Sequence, residues 1–117
     1  MDKNLESLEK RVELSKLFDF YGSLLKENQK EIFEDYVFND YSISEIAEEH
    51  GLTRQGIFDT VKRCSRSLNE YDEKLGLIDK FEKTKEIVGK VNKLAKSKDP
   101  SSFDKIEELT LTILDIL

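Results

Sequence analysis

A run of polar and basic residues from Thr53 to Arg66 is the part of this chain best equipped to contact an anion or the edge of a nucleic-acid base. Guanidinium groups donate paired hydrogen bonds to guanine, ammonium groups attract phosphates, and hydroxyl and amide groups can reach either partner. We expect Arg54 to be the strongest base reader and the later cations to pair with backbone phosphates. The candidate nucleic-acid contacts are Thr53, Arg54, Gln55, Phe58, Asp59, Lys62, Arg63 and Arg66.

Several of these candidates allow more than one role. Thr53 and Gln55 stand where a helix is expected to begin, and there they can hold a phosphate or a base edge. Phe58 either touches a thymine methyl group or completes the core. Asp59 either accepts a hydrogen bond from cytosine or repels wrong sites.

The residues ahead of this run predict the first helix of a helix-turn-helix. Ser42 and Glu45 can form a capping box, which places the start of a helix over 43–50. Ala47 is small enough to let a second helix cross closely. Gly51 can adopt the left-handed conformation that ends the first helix, and we expect Leu52 to fill the gap between the two helices.

Thr53 is expected to cap the second helix, which keeps an apolar repeat far beyond the usual length of a recognition helix. Its apolar positions, spaced by 4, 3, 4, 3 and 4 residues, are Ile57, Val61, Cys64, Leu68, Tyr71 and Leu75. Carried to Leu75, this helix is about 33 Å long. We expect the seam to pack against the later helices of the chain, and a dimer contact through the same region is the alternative. For the motif as a whole, the alternative is two packed helices with a solvated charged face.

Helical periodicity continues through the rest of the chain and predicts an all-α protein. The further helices are expected over 4–21, 27–36 and 77–95, with Gly76 ending the long helix. Asp99 and Pro100 are placed to cap and begin a last helix, whose apolar residues must be covered by the chain or by a partner. The expected domains are a helix-turn-helix domain over 1–75 and a C-terminal helical extension over 76–117 that serves packing or dimerisation.

The net charge of -6 is unevenly distributed along the sequence. Residues 1–50 hold 6 basic and 13 acidic side chains, whereas residues 51–66 hold four basic side chains against Asp59 alone. Affinity for nucleic acid comes largely from the neutralisation of phosphates. A chain this acidic is therefore expected to bind a duplex weakly and with strong salt dependence unless it forms a dimer.

Little in the sequence points to catalysis. The single His50 ends a helix, where the helix dipole favours an imidazolium, and the single Cys64 lies on the apolar seam. Metal-ligand spacings and glycine-rich phosphate loops are both absent, so we predict a non-enzyme without a cofactor or a metal. The lone cysteine, the charged amino terminus and the lack of a long apolar run predict a cytoplasmic protein that does not insert into membranes.

The run LFDFYGSLLKENQKEIFEDYVFNDYSISEIAEEHGLTRQGIFDTVKR, followed by LNEYDEKLGL, resembles the YlxM-like family of small bacterial proteins. The resemblance covers roughly residues 12 to 78, is weak beyond Ile78, and is most specific in LFDFY, SISEIAEE and TRQGIFDTVKR. It implies a reading head like region four of primary sigma factors, with a long recognition helix and additional C-terminal helices. It also implies a DNA-binding regulatory role associated, mainly through gene neighbourhood, with the signal recognition particle and its GTPases.

The acidic amino-terminal half leaves a second function open, that of an adaptor, and an oligomeric scaffold is a third. Such an adaptor would contact the targeting GTPases or their RNA through its acidic surface and long helices.

The sequence departs from the sigma-like pattern at three positions. His50 stands in place of an apolar residue, Lys26 in place of a serine or threonine cap, and Thr60 in place of a second apolar residue. We expect Val61 to take over the apolar position that Thr60 leaves.

Overall fold

Six α-helices and two short 3₁₀ turns follow one another in the computed structural model, which describes the backbone of residues 2–117 and the side chains of residues 8–117. The helices are α1 (Asp2–Tyr21), α2 (Glu27–Val37), α3 (Ile43–His50), α4 (Arg54–Leu75), α5 (Leu77–Ser97) and α6 (Phe103–Ile116). The 3₁₀ turns are Gly22–Leu24 and Pro100–Ser102. No strand occurs within residues 2–117, and the all-α prediction is confirmed.

The chain divides into two compact units. The amino-terminal unit comprises Met1–Leu75 and the carboxy-terminal unit comprises Gly76–Leu117. Gly76 separates them with a φ of 61°, a left-handed conformation that glycine adopts without strain and that ends α4.

The core of the amino-terminal unit forms where α4 packs against α1, α2 and α3. The buried part of the α4 seam comprises Ile57, Val61, Cys64 and Leu68. The preceding helices cover this seam, so the predicted packing partner, the later helices, was wrong. Spacing told which face of α4 is apolar, but not which helices bury it. Further along the seam, Tyr71 is half-buried and Leu75 is exposed.

An aromatic cluster closes one side of this core. The ring of Phe18 stacks on Phe33 with centroids 5.7 Å apart and meets the edge of Phe38 at 5.4 Å. Gly22 lies directly against the same ring, because an added Cβ would stand 2.8 Å from Phe18 Cδ2. The chain can therefore turn out of α1 this close to the cluster only with a residue that lacks a side chain.

The helix-turn-helix begins and ends at the predicted caps. The amide of Glu45 donates to Ser42 Oγ at 3.1 Å and the amide of Ser42 donates to Glu45 Oε1 at 3.4 Å, which confirms the capping box. Gly51 ends α3 with a φ of 65°. The expected role of Leu52 was wrong, because its side chain is 51% exposed. Its backbone acts instead: the amide of Leu52 donates to the carbonyl of Ala47 at 2.9 Å and closes the end of α3.

The carboxy-terminal unit is a helical hairpin in which α5 packs against α6. Asp99 caps the turn as predicted, since its Oδ1 accepts from the Ser101 amide at 3.0 Å. Pro100 begins a 3₁₀ turn rather than an α-helix, and α6 starts at Phe103. On α5, Lys83 and Lys90 form i,i+4 ion pairs with Asp79 and Glu86, so this face carries paired charges. None of the helices within residues 2–117 has the length and apolarity needed to cross a membrane.

Candidate nucleic-acid interface

Seven of the eight predicted contact residues lie together on the outer face of α4, and Thr53 precedes them as the cap of the helix. All eight are exposed: Thr53, Arg54, Gln55, Phe58, Asp59, Lys62, Arg63 and Arg66. Their exposure follows from the helix period, because Ile57, Val61 and Cys64 use the inward positions of the same turns. A turn of three residues, Gly51 to Thr53, separates this face from α3, a length typical of a helix-turn-helix.

The cations of this face are not held by acidic neighbours. Within residues 8–117, no carboxylate lies within 4 Å of the charged groups of Arg54, Arg63 or Arg66. The Lys62 Nζ lies 5.7 Å from the centroid of the Phe58 ring, a cation–π contact on the helix surface. The positive charge of this segment is therefore displayed to solvent.

The start of α4 is ordered by two hydrogen bonds that involve candidate residues. The Gly56 amide donates to Thr53 Oγ1 at 3.0 Å, so Thr53 caps the helix as predicted. The Gln55 Nε2 donates to Asp59 Oδ1 at 3.0 Å, one turn along. Neither bond uses the Thr53 hydroxyl hydrogen or the Gln55 amide oxygen, and both groups lie on exposed residues.

Phe58 lies on the surface of α4. The ring is 48% exposed and does not complete the core. Val61 is buried in the core. The hydroxyl of Thr60 instead donates a hydrogen bond of 2.9 Å to the carbonyl of Gly56. The expected transfer of the apolar position from Thr60 to Val61 is confirmed.

The helix that precedes the turn carries the opposite charge. Glu45, Glu48 and Glu49 are exposed on α3 and, with Tyr41, line a shallow depression. These carboxylates repel phosphates, so the surface of α3 is unfavourable for a nucleic-acid backbone. The arrangement limits how a nucleic acid can approach.

A polar cluster between α2 and α3 was missed by sequence reasoning. His50 Nε2 lies 3.2 Å from Asp35 Oδ2, and both side chains are largely buried. Asn39 Nδ2 donates to the other oxygen of Asp35 at 2.8 Å. Ligand atoms of Asp35, Glu49 and His50 lie within 4.8 Å of one another, and such a set could hold a divalent cation. Asp35 and His50 stand on different helices, so no spacing in the sequence reveals their pairing.

The surroundings of Cys64, on the seam, disfavour a reactive thiolate. Burial raises the pKa of the Cys64 thiol, and the neighbouring Arg63 lowers it by a smaller amount. A buried thiol that stays protonated is a packing residue rather than a nucleophile.

Comparison with known proteins identifies the family. The model of the UPF0122 family, YlxM/p13-like helix-turn-helix proteins, matches residues 8–109. The chain belongs to the UPF0122 family. The YlxM protein of Bacillus subtilis (strain 168) is 42% identical over 107 residues, which cover 92% of this chain and 93% of that protein.

Other UPF0122 proteins are similarly related. That of Thermoanaerobacter sp. (strain X514) is 42% identical over 108 residues, covering 86% of this chain and 90% of the relative. That of Halalkalibacterium halodurans is 47% identical over 81 residues, covering 69% of this chain and 74% of the relative. The predicted resemblance is confirmed, and the match extends beyond the expected limit of residue 78. The UPF0122 match extends to residue 109, so most of the carboxy-terminal unit is shared with the family.

Proposed function

We propose that this UPF0122 protein is a DNA-binding regulator that reads a duplex through the first half of α4. The observation that carries the proposal is the row of exposed cations on one helix face, with no carboxylate of residues 8–117 within 4 Å of Arg54, Arg63 or Arg66. That row follows a three-residue turn and a capped helix, and major-groove readers place a recognition helix in the same way.

The position of each side chain along α4 suggests its part in the contact. Arg54 stands at the start of the helix, where recognition helices reach base edges, and it would pair with guanine. Arg63 and Arg66 lie further along and would hold phosphates on the rim of the groove. Phe58, with Lys62 over its ring, offers an apolar surface to a thymine methyl group.

A direct test is fluorescence anisotropy with a random duplex at low and moderate salt. Arg54→Gln and Arg63→Gln are each expected to weaken binding by about fivefold or more, and Arg63→Gln is expected to lower the salt slope by about 1. Lys93→Gln in the carboxy-terminal unit removes the same charge from an exposed lysine and is expected to leave binding unchanged. A folded protein that does not bind at low salt, or equal losses in all three variants, would contradict the proposal.

We place this regulator in the signal recognition particle pathway, because the YlxM-like resemblance carries that association. We also propose that it acts as a homodimer joined through the carboxy-terminal unit, since Phe103, Leu111 and Leu114 of α6 are exposed. Leu114→Glu is expected to yield a monomer in light scattering, and Thr112→Glu, an exposed position on the opposite side of the same helix, is not. A wild-type monomer at micromolar concentration would rule the dimer out.

A second candidate function rests on the acidic surface of α3. Glu45, Glu48 and Glu49 are exposed beside the reading helix, and they would suit a basic protein surface or exclude nucleic acid. The protein would then act as an adaptor for the targeting GTPases through this surface, and a contact with their RNA would use the long helices instead. Capture of purified targeting components that persists after reversal of all three charges would reject this role.

A further inference from the structure

A cavity of about 280 Å³ opens on the surface of the amino-terminal unit, beside the outer face of α4 that carries the candidate contacts. Its apolar lining includes Leu14 of α1, Ile43 of α3 and Val61 of α4. The rings of Tyr36 and Phe58 also line it, so the cavity has aromatic as well as aliphatic walls. Its volume is close to the lower limit of small-molecule sites, about 300 Å³.

The charged groups that line this cavity are all cationic. Lys10 and Arg11 of α1 and Lys62 of α4 all line it, and no acidic residue within residues 8–117 does. The Arg11 Cζ lies 5.2 Å from the centroid of the Tyr36 ring, which holds the guanidinium along one wall. Asp40 pairs with Arg11 from outside the cavity. Within the described side chains, no carboxylate lies within 4 Å of Lys10 or Lys62.

This combination selects one class of ligand. Apolar walls favour a ligand body that leaves water, and an inorganic anion has none. Convergent cations favour a carboxylate, sulfonate or phosphate group at one end of that body. We propose that the cavity binds a small organic anion with an apolar body about the size of one aromatic ring.

The site goes beyond duplex binding, although it shares two side chains with the candidate interface. Phe58 and Lys62 line the cavity and also stand on the outer face of α4. An anion bound there competes with a phosphate for Lys62 and brings negative charge to the reading face. The effect on duplex binding rests on the function proposed above: if α4 binds a duplex, such a ligand weakens that binding and the cavity is an effector site.

The test uses three probes that share one carbon skeleton: 3-phenylpropionate, 3-phenylpropan-1-ol and 3-phenylpropylammonium. Each is titrated into the full chain, and the amide resonances are followed by two-dimensional NMR. The carboxylate is expected to shift the resonances of Ile43, Phe58 and Val61 and to bind about fivefold or more tighter than the alcohol, since a unit charge near a cation supplies that much attraction even in water. The ammonium probe is expected to bind least. Equal binding of all three probes, or shifts elsewhere only, would overturn the proposal.

Four variants separate the cavity from the general charge of the surface. Lys62→Gln is expected to weaken 3-phenylpropionate binding about fivefold and to leave the alcohol unaffected. Asp40→Asn frees Arg11 and is expected to strengthen binding of the carboxylate alone. Ser65→Leu fills the cavity from its wall and is expected to abolish binding of every probe. Lys93→Gln, in the other unit, is the matched control and changes nothing.

A second arm keeps this proposal distinct from the duplex-binding proposal. Arg54 and Arg63 do not line the cavity, so Arg54→Gln and Arg63→Gln are expected to leave the 3-phenylpropionate shifts unchanged. If the protein binds no duplex, the NMR titration still decides whether the cavity takes an anion. If it binds a duplex but shows no probe shifts, the cavity proposal alone is rejected.

Discussion

The hydroxyl of Tyr21 donates a hydrogen bond of 2.7 Å to Asp72 Oδ1 and joins the end of α1 to the last third of α4. Tyr21 is 1% exposed, and its ring centroid lies 6.2 Å from that of Tyr71. The contact fixes the register of α4 against α1. Because α4 is one continuous helix, the same register also sets which side chains face outward nearer the start of α4.

Tyr21→Phe tests this anchor. The variant keeps the ring and removes only the hydroxyl that donates to a half-buried carboxylate, so we expect a loss of about 1–2 kcal/mol in the free energy of unfolding. Urea denaturation followed by circular dichroism measures it. Tyr41→Phe is the control, because Tyr41 is exposed and its hydroxyl is expected to contribute almost nothing. Equal losses in both variants would contradict an anchoring role.

Local signals predicted the helices well. The capping box of Ser42 and Glu45 and the left-handed Gly51 are built from neighbours in sequence, so their geometry follows from residue type and spacing. Tertiary contacts were out of reach. The Tyr21–Asp72 bond joins residues 51 positions apart, and nothing in either segment marks its partner.

The candidate interface could likewise be predicted only in part. The outward face of α4 could be predicted because its inward positions are apolar and regularly spaced. The cationic lining of the cavity, formed by Lys10, Arg11 and Lys62, could not be predicted, because it depends on how α1 crosses α4. Leu52 failed for a related reason: an apolar residue after a glycine cap commonly packs inward, but here the turn directs its side chain to solvent.

Two glycine substitutions are expected to act in opposite directions. Gly22→Ala places a Cβ 2.8 Å from Phe18, whose ring is held between Phe33 and Phe38, and we expect it to destabilise the amino-terminal unit by about 1–3 kcal/mol. Gly89→Ala meets nothing within 4 Å in the middle of α5 and is expected to stabilise the carboxy-terminal unit by about 1 kcal/mol. Amide hydrogen exchange, read separately in each unit, measures both. If Gly22→Ala leaves the stability of the amino-terminal unit unchanged, the aromatic cluster can shift to accommodate the added Cβ.

The buried thiol predicts a pH dependence of stability. Burial raises the pKa of Cys64 in the folded chain, so at alkaline pH the unfolded chain releases the thiol proton first. The unfolded state then binds fewer protons than the native state, and stability falls as pH rises through and above the ordinary thiol pKa of about 8.5. Urea unfolding between pH 7 and pH 10, under reducing conditions, is expected to show a steeper decline for the wild type than for Cys64→Ala. Parallel curves would contradict the raised pKa.

Asp59 offers a test of the proposed duplex contact. It is the single acid between Arg54 and Arg66, it is exposed, and it accepts a hydrogen bond from Gln55 at 3.0 Å. Asp59→Asn keeps an acceptor for Gln55 and removes the charge that repels phosphates. If α4 contacts a duplex as proposed, this variant is expected to bind random duplex about fivefold tighter at low salt, with less preference among sequences.

Glu73→Gln provides the matched control for this effect, because it removes the same charge from an exposed position on the same helix. Glu73 lies 14 residues from Asp59, a distance of about 21 Å along the axis, which exceeds the Debye length of about 10 Å at 0.1 M salt. At that salt concentration, we expect Asp59→Asn to retain an advantage and Glu73→Gln to show none. An equal gain in both variants would mean that affinity follows the net charge of the chain. The proposal that the first half of α4 reads the duplex would then be rejected.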